Sequence, residues 1–284
     1  MLLALLLSMS IFTACQRTEG SVPVNHTPSL PAKTYLNVSY GKDSLQKMDV
    51  YLPANRTDST KVLVLIHGGG WMGGDKSEFA AAIPALQEKL PQYAIFNINY
   101  RLANQLTNHF PTQENDVQAA LQFITGKAGE YQTSKEVVLL GASAGAHLAL
   151  LQAYKHTDPV VPRAIISFFG PTDMAEIYNR QSNAYYKMGL QLLIGGTPDT
   201  KPAVFKQASP INFVSKQSPP TLLLHGGADG LVPLSHSKEL KKKLESVHVP
   251  AELVVYPKEG HGWYGANLTD SYNRVEQFLN THVK

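Results

Sequence analysis

The sequence predicts one α/β domain with a mostly parallel central sheet, helices on both faces and a small inserted cap. Three observations carry that expectation. Short apolar runs at 61–66, 93–99, 136–140, 163–169, 221–224 and 251–256 are continuous and do not alternate, which is the pattern of strands buried on both faces. Helical patterns separate most of them, and strand–helix alternation favours a parallel sheet. The chain has 284 residues, 43% of them hydrophobic and 17% charged, enough for one substantial core.

In chain order, 34–40 alternates polar and apolar residues and reads as a half-exposed strand. A turn at Gly41-Lys42-Asp43 leads to a second alternating run, 46–52, closed by Pro53 and Asn55. Together they predict an antiparallel hairpin at one sheet edge. The run 61–66 passes directly into His67-Gly68-Gly69-Gly70-Trp71, and 76–90 reads as a helix. The strand 93–99 precedes Tyr100-Arg101-Leu102, and a loop with Phe110-Pro111 opens a helix over 113–126. The strand 136–140 enters Gly141-Ala142-Ser143-Ala144-Gly145 and then a helix of small residues. After 163–169 the alternation breaks. Residues 170–220 carry tyrosines, methionines and a leucine cluster among several Gly and Pro, and read as two or three short helices forming the cap. Helices over 234–247 and 270–282 accompany the last two strands.

The formal charge is +3 and is not clustered. The one basic run, Lys241-Lys242-Lys243, lies on an amphipathic helix as a solvated face, so no nucleic-acid partner is expected. Metal-ligand spacings such as C-x-x-C or H-E-x-x-H do not occur, and neither a metal nor a cofactor is expected. The single cysteine, Cys15, follows an apolar run from Leu2 to Phe12 that is too short to span a bilayer. Phe12-Thr13-Ala14-Cys15 resembles a bacterial lipobox, which implies a signal peptide over 1–14 and lipidation of Cys15. Residues 16–33, rich in Ser, Pro, Thr and Asn, then read as a flexible tether to a domain over 34–284. The expected location is the bacterial cell envelope, lipid-anchored on the periplasmic side of a membrane, with secretion as the alternative. The lipid anchor is the expected membrane contact.

Chemistry is concentrated at the ends of the predicted strands, where parallel sheets place ligands and reacting groups. A serine in G-x-S-x-G between a strand and a helix is held exposed on a sharp turn, which makes Ser143 the candidate nucleophile. A serine hydroxyl needs a base, and the base needs an orienting carboxylate. In such folds the chain order is Ser, then acid, then His. Asp229 follows the run 221–224, and His261 follows 251–256 between two glycines. Asp173 and Glu259 compete for the acid, but Asp229 alone lies on the loop between nucleophile and base strand. Among ten histidines, His225 reads as a turn support and His67 as an organiser of its loop. His236 and His248 read as solvent-facing helix positions, and no strand end places His109, His156 or His282. Backbone N–H groups free of side chains stabilise an oxyanion best, so Gly68-Gly69-Gly70 and the N–H of Ala144 are candidate donors.

Taken jointly, His67-Gly68-Gly69-Gly70-Trp71, Tyr100-Arg101-Leu102, Asp116, the Ser143 pentapeptide, H-G-x-x-D-x-x-V-P over 225–233 and Gly260-His261-Gly262 resemble the α/β-hydrolase superfamily. The set is most similar to small carboxylesterases related to hormone-sensitive lipase and to bacterial feruloyl and acetyl esterases. The resemblance implies Ser143 as nucleophile, Asp229 as acid, His261 as base, and Gly69, Gly70 and Ala144 as oxyanion donors. It implies hydrolysis of a small-molecule ester with a short-chain or aromatic acid, through an acyl-enzyme on Ser143. Two further readings stay open. The segment 219–261 is also similar to prolyl-oligopeptidase-type domains, and H-G-G-x-W to arylformamidases, which would mean amide hydrolysis. An inactive hydrolase serving as a surface binding module is the third. Ala146, and Asn104-Gln105 after Tyr-Arg-Leu-Ala, depart from the usual family pattern.

Overall fold

The computed structural model describes residues 30–156 and 160–283. The leader, Cys15 and most of the expected tether therefore lie outside the described residues. Eight strands form one sheet: β1 (Lys33–Ser39), β2 (Lys47–Leu52), β3 (Lys61–Ile66), β4 (Tyr93–Ile98), β5 (Val137–Ala142), β6 (Ala164–Phe168), β7 (Thr221–Gly226) and β8 (Ala251–Tyr256). Their order is β1-β2-β4-β3-β5-β6-β7-β8. The β1–β2 and β2–β4 pairs are antiparallel and all later pairs are parallel. The hairpin at one edge and the mostly parallel sheet both match the sequence expectation.

The apolar runs of β3 to β7 are buried on both faces, and successive residues serve opposite cores because side chains alternate along a strand. By contrast β8 (251–256), expected to be buried likewise, is the edge strand and is buried only at Tyr256. Val62, Val64 and Ile66 of β3 enter one core cluster, while Leu63 and Leu65 enter the other. The first cluster is closed by α2 (Thr112–Gly126), the short α3 (Ala128–Tyr131), α4 (Ala144–Lys155) and α8 (Ser235–Ser246). The second is closed by α1 (Ile83–Lys89) and α9 (Gly265–His282). Between β6 and β7 run α5 (Met174–Arg180), α6 (Ala184–Ile194), α7 (Pro202–Gln207) and a 3-10 turn, Pro210–Phe213. Their capping is local: Asp173 Oδ1 accepts from Ala175 N and Glu176 N, and Asn183 Oδ1 from Tyr186 N.

Two expected helices differ from those observed. The stretch 76–90 is not continuous: a 3-10 turn, Lys76–Phe79, precedes α1. Pro84 sits in the first turn of α1, where proline's missing N–H does no harm, and so marks a new start. The final helix begins at Gly265, five residues before the expected 270. Among the described residues, no helix is long and apolar enough to cross a membrane.

Candidate active site

The site is built on four loops that leave the carboxyl ends of β3, β5, β7 and β8. At β5 the chain turns into α4 at Ser143, whose φ of 52° and ψ of −118° lie in a strained region for a residue with a Cβ. Hydrogen bonds hold that conformation. Ser143 N donates to Phe168 O at 2.9 Å, and His147 N donates to Ser143 O at 3.0 Å. The small residues after the serine have a physical reason: α4 packs so tightly on the end of β3 that a Cβ at Gly145 would overlap Ile66 O and His67 O.

His261 lies between Ser143 and Asp229. Its Nε2 is 2.8 Å from Ser143 Oγ and its Nδ1 is 2.7 Å from Asp229 Oδ2. With Nδ1–H donating to the carboxylate, Nε2 is free to accept from the serine hydroxyl. His261 sits in a tight turn in which Gly262 N donates to Gly260 O. That turn is tied to the Asp229 loop through Gly227 N to Tyr256 O at 2.7 Å and Ala228 N to Glu259 O at 2.9 Å. The Asp229 carboxylate is fully enclosed, and its Oδ1 accepts from Leu231 N and Val232 N. Burial pushes its pKa up, but hydrogen bonding with His225, His261 and the Val232 N–H outweighs burial and holds it well below the usual carboxylate range.

The glycine loop after β3 lies against the Ser143 turn. A Cβ on Gly68 would come within 3.2 Å of Ala142 O. Gly69 and Gly70 adopt φ of +95° and +59°, the left-handed region that favours glycine, and both line the cavity above Ser143. Ala144 N opens α4, so its N–H has no partner within the helix. The loop is braced from beneath. Tyr100 Oη donates to His67 O and Gly68 O, its ring stacks on His67 at 4.3 Å, and Arg101 is clamped to Asp116. Thus His67 is a loop organiser: its Nδ1 is 2.9 Å from Gly68 O, and burial lowers its pKa to about 4.

The other candidates fall elsewhere. Asp173 caps α5, and Glu259 accepts from Asn267 Nδ2. His225 is buried, bonding Ser237 Oγ and Val232 O, which makes it a support of the Asp229 turn. His236 corrects the expectation of a solvent-facing position. It is 3% exposed, accepts from Thr172 N at Nδ1, and points Nε2 at Glu176. The β6–β7 segment covers that face of α8, and burial lowers the His236 pKa to about 4. His248 does not lie on the helix but in the exposed turn after it.

Three neighbours of the site were not singled out by sequence reasoning. His147 receives a hydrogen bond at Nδ1 from Trp71 Nε1 and so carries its proton on Nε2, which donates to Ala208 O. It links the glycine loop, α4 and the β6–β7 segment. Phe169 packs on the His261 ring at 4.6 Å. Tyr186, on α6, lines the cavity over Ser143. The only advance signal was position: His147 one turn after Ser143, Phe169 at the end of a predicted strand.

The cavity has a volume of about 710 Å³ and a largely apolar wall that includes Phe79, Leu140, Phe168, Phe169 and Trp263. Tyr185 and Tyr264, 67% and 89% exposed, stand among its lining residues. Among the described residues no group of His, Cys, Asp and Glu side chains could hold a metal ion.

The sequence model of the BD-FAE family matches residues 48–244. The chain is similar to the esterase LipC of Mycobacterium tuberculosis, 25% identical over 261 residues, covering 86% of this chain and 64% of LipC. It is also similar to the probable carboxylic ester hydrolase LipM of the same organism, 28% identical, covering 86% of this chain and 60% of LipM. The chain thus spans less than two thirds of the length of these relatives. Of solved structures, a truncated form of a carbohydrate esterase from gut microbiota superposes with a TM-score of 0.76 at 26% identity, covering 88% of this chain and 96% of that one.

Proposed function

The chain belongs to the BD-FAE family and has the α/β-hydrolase fold, and from that premise we propose that it is a serine carboxylesterase. The reading rests on one observation: Ser143 Oγ, His261 and Asp229 are joined by hydrogen bonds of 2.8 and 2.7 Å at the wall of an apolar cavity. His261 Nε2 takes the Ser143 proton as Oγ attacks the ester carbonyl. The N–H groups of Ala144, Gly69 and Gly70 receive the negative carbonyl oxygen. His261 then returns the proton to the departing alcohol. Water, activated by the same imidazole, releases the acid from the acyl-enzyme. Asp229 keeps the imidazole in the required tautomer and stabilises its cationic form.

Apolar walls favour short-chain or aromatic acids. The names of LipC, LipM and the gut carbohydrate esterase support an ester substrate, and the last of these favours a sugar as the alcohol. The test is turnover of p-nitrophenyl esters of rising chain length, acetylated xylan, methyl ferulate and a p-nitroanilide, by wild type and Ser143→Ala. Ester turnover that disappears in the variant supports the reading. Faster cleavage of the anilide, or equal activity in Ser143→Ala, overturns it. Lipid anchoring at Cys15 is a separate proposal, supported by the Phe12-Thr13-Ala14-Cys15 pattern. Cys15→Ser is expected to move the protein out of the membrane fraction, and retention there refutes it.

A further inference from the structure

Tyr186 brings to the site a hydroxyl that the scheme above leaves unused. It lies in the first turn of α6, which is fixed on the glycine loop at two points. The Tyr186 ring packs on Trp71 at 6.0 Å. One turn later, a Cβ on Gly189 would come within 3.2 Å of Gly70 O. The side chain is 7% exposed, and its Oη is shielded and without a hydrogen-bond partner in the resting protein. An unpaired buried hydroxyl destabilises a fold and calls for a reason. Ser143 lines the same cavity, and Asp229 and Ser143 are the polar groups close enough to act on the hydroxyl. Burial, then the Asp229 charge, raise its pKa well above the usual tyrosine range, and the neighbouring Ser143 hydroxyl opposes them only in part. The hydroxyl therefore keeps its proton and acts as a donor, not as a base.

We propose that Tyr186 is a further catalytic residue, whose hydroxyl donates a hydrogen bond to Ser143 Oγ while that oxygen carries negative charge. The proposal rests on Ser143 being the nucleophile. In the resting enzyme Oγ is engaged by His261, and the tyrosine hydroxyl lies close to Ser143 without completing a well-aligned hydrogen bond. In deacylation, water attacks the acyl carbon and gives a proton to His261. The bond from carbon to Oγ breaks, its electron pair passes to Oγ, and His261 Nε2 returns the proton there. Tyr186 keeps its own O–H bond throughout and stabilises the charge on Oγ as that bond breaks.

Tyr186→Phe removes only the hydroxyl. With p-nitrophenyl acetate, kcat is expected to fall about 10-fold. KM should not rise, and a burst of p-nitrophenol should appear or grow in stopped flow as deacylation slows. Because the hydroxyl is unpaired, Tm should stay equal or rise. That combination separates chemistry from structure. A kcat within twofold of wild type, a loss confined to KM, or a Tm lower by more than about 4 °C overturns the proposal. A wild type that does not turn over the ester, or a fully active Ser143→Ala, places the failure in the esterase reading instead.

Discussion

The carboxyl end of the sheet and the β6–β7 segment meet over Ser143, but they are built differently. At the sheet end, backbone packs on backbone: α4 lies on the end of β3 with no room for a Cβ at Gly145, and hydrogen bonds pin Ser143, the Asp229 loop and the His261 turn. In the β6–β7 segment, side chains carry the contacts. Asp173 and Asn183 cap its helices, and Tyr185 and Tyr186 line the cavity. The first region fixes the distances that proton transfer needs. The second shapes what enters. Substitutions in the first should therefore remove activity from every substrate, and those in the second, Tyr186 apart, should redistribute it among substrates.

Asp229→Asn tests that division most severely. The amide preserves shape but cannot hold His261 in the required tautomer or offset its charge, so kcat should fall about 10⁴-fold for every ester. A loss confined to some substrates would break the division. Gly145→Ala is the structural counterpart. Because the added methyl has no space between α4 and β3, about 3 kcal/mol or more should be lost, equivalent to a Tm lower by roughly 6–12 °C. An unchanged melting temperature would show that the backbone contact gives way easily.

Acid titration compares the regions through their histidines. His67 at the glycine loop, His147 on α4 and His236 under the β6–β7 segment all have pKa values lowered from 6.5 to about 4, in each case first by burial. Each binds a proton in the unfolded chain before it does so in the fold. Their contribution is thus present above about pH 6.5 and lost as pH falls towards 4, by roughly 4 kcal/mol per pH unit at most for the three together. Denaturant midpoints measured across that window should fall steadily. A flat profile from pH 6.5 to 4 would contradict their neutral burial. The smallest effect is expected at the cavity mouth. Tyr185 is mostly exposed, so Tyr185→Ala should change KM for bulky esters a few-fold and leave p-nitrophenyl acetate and Tm nearly unchanged.

The same contrast explains what was legible in the sequence. Backbone-driven features leave strong local marks. The inner strands read as unbroken apolar runs, and Gly145 stands where a helix must touch a strand. Strand ends also locate Ser143, Asp229 and His261, because parallel sheets gather their carboxyl ends. Features that depend on what a later segment covers leave no such mark. His236 looks solvent-facing on its own helix and is buried only because α5 returns over it, bringing Glu176 to its Nε2. Tyr186 is one of three tyrosines within nine residues, and nothing in their spacing tells which enters the cavity. The break before α1 and the early start of α9 were hidden because apolar periodicity does not mark helix ends: Pro84 restarts the first, and neither start carries a side-chain cap.

The central claim is that one serine, activated by His261, attacks the substrate. A fluorophosphonate probe reads this directly, since it reacts only with an activated nucleophile. Peptide mass mapping after labelling should find one adduct, on the peptide that contains Ser143, and none in Ser143→Ala. An unlabelled wild type, or an adduct that persists on another residue in the variant, would contradict it.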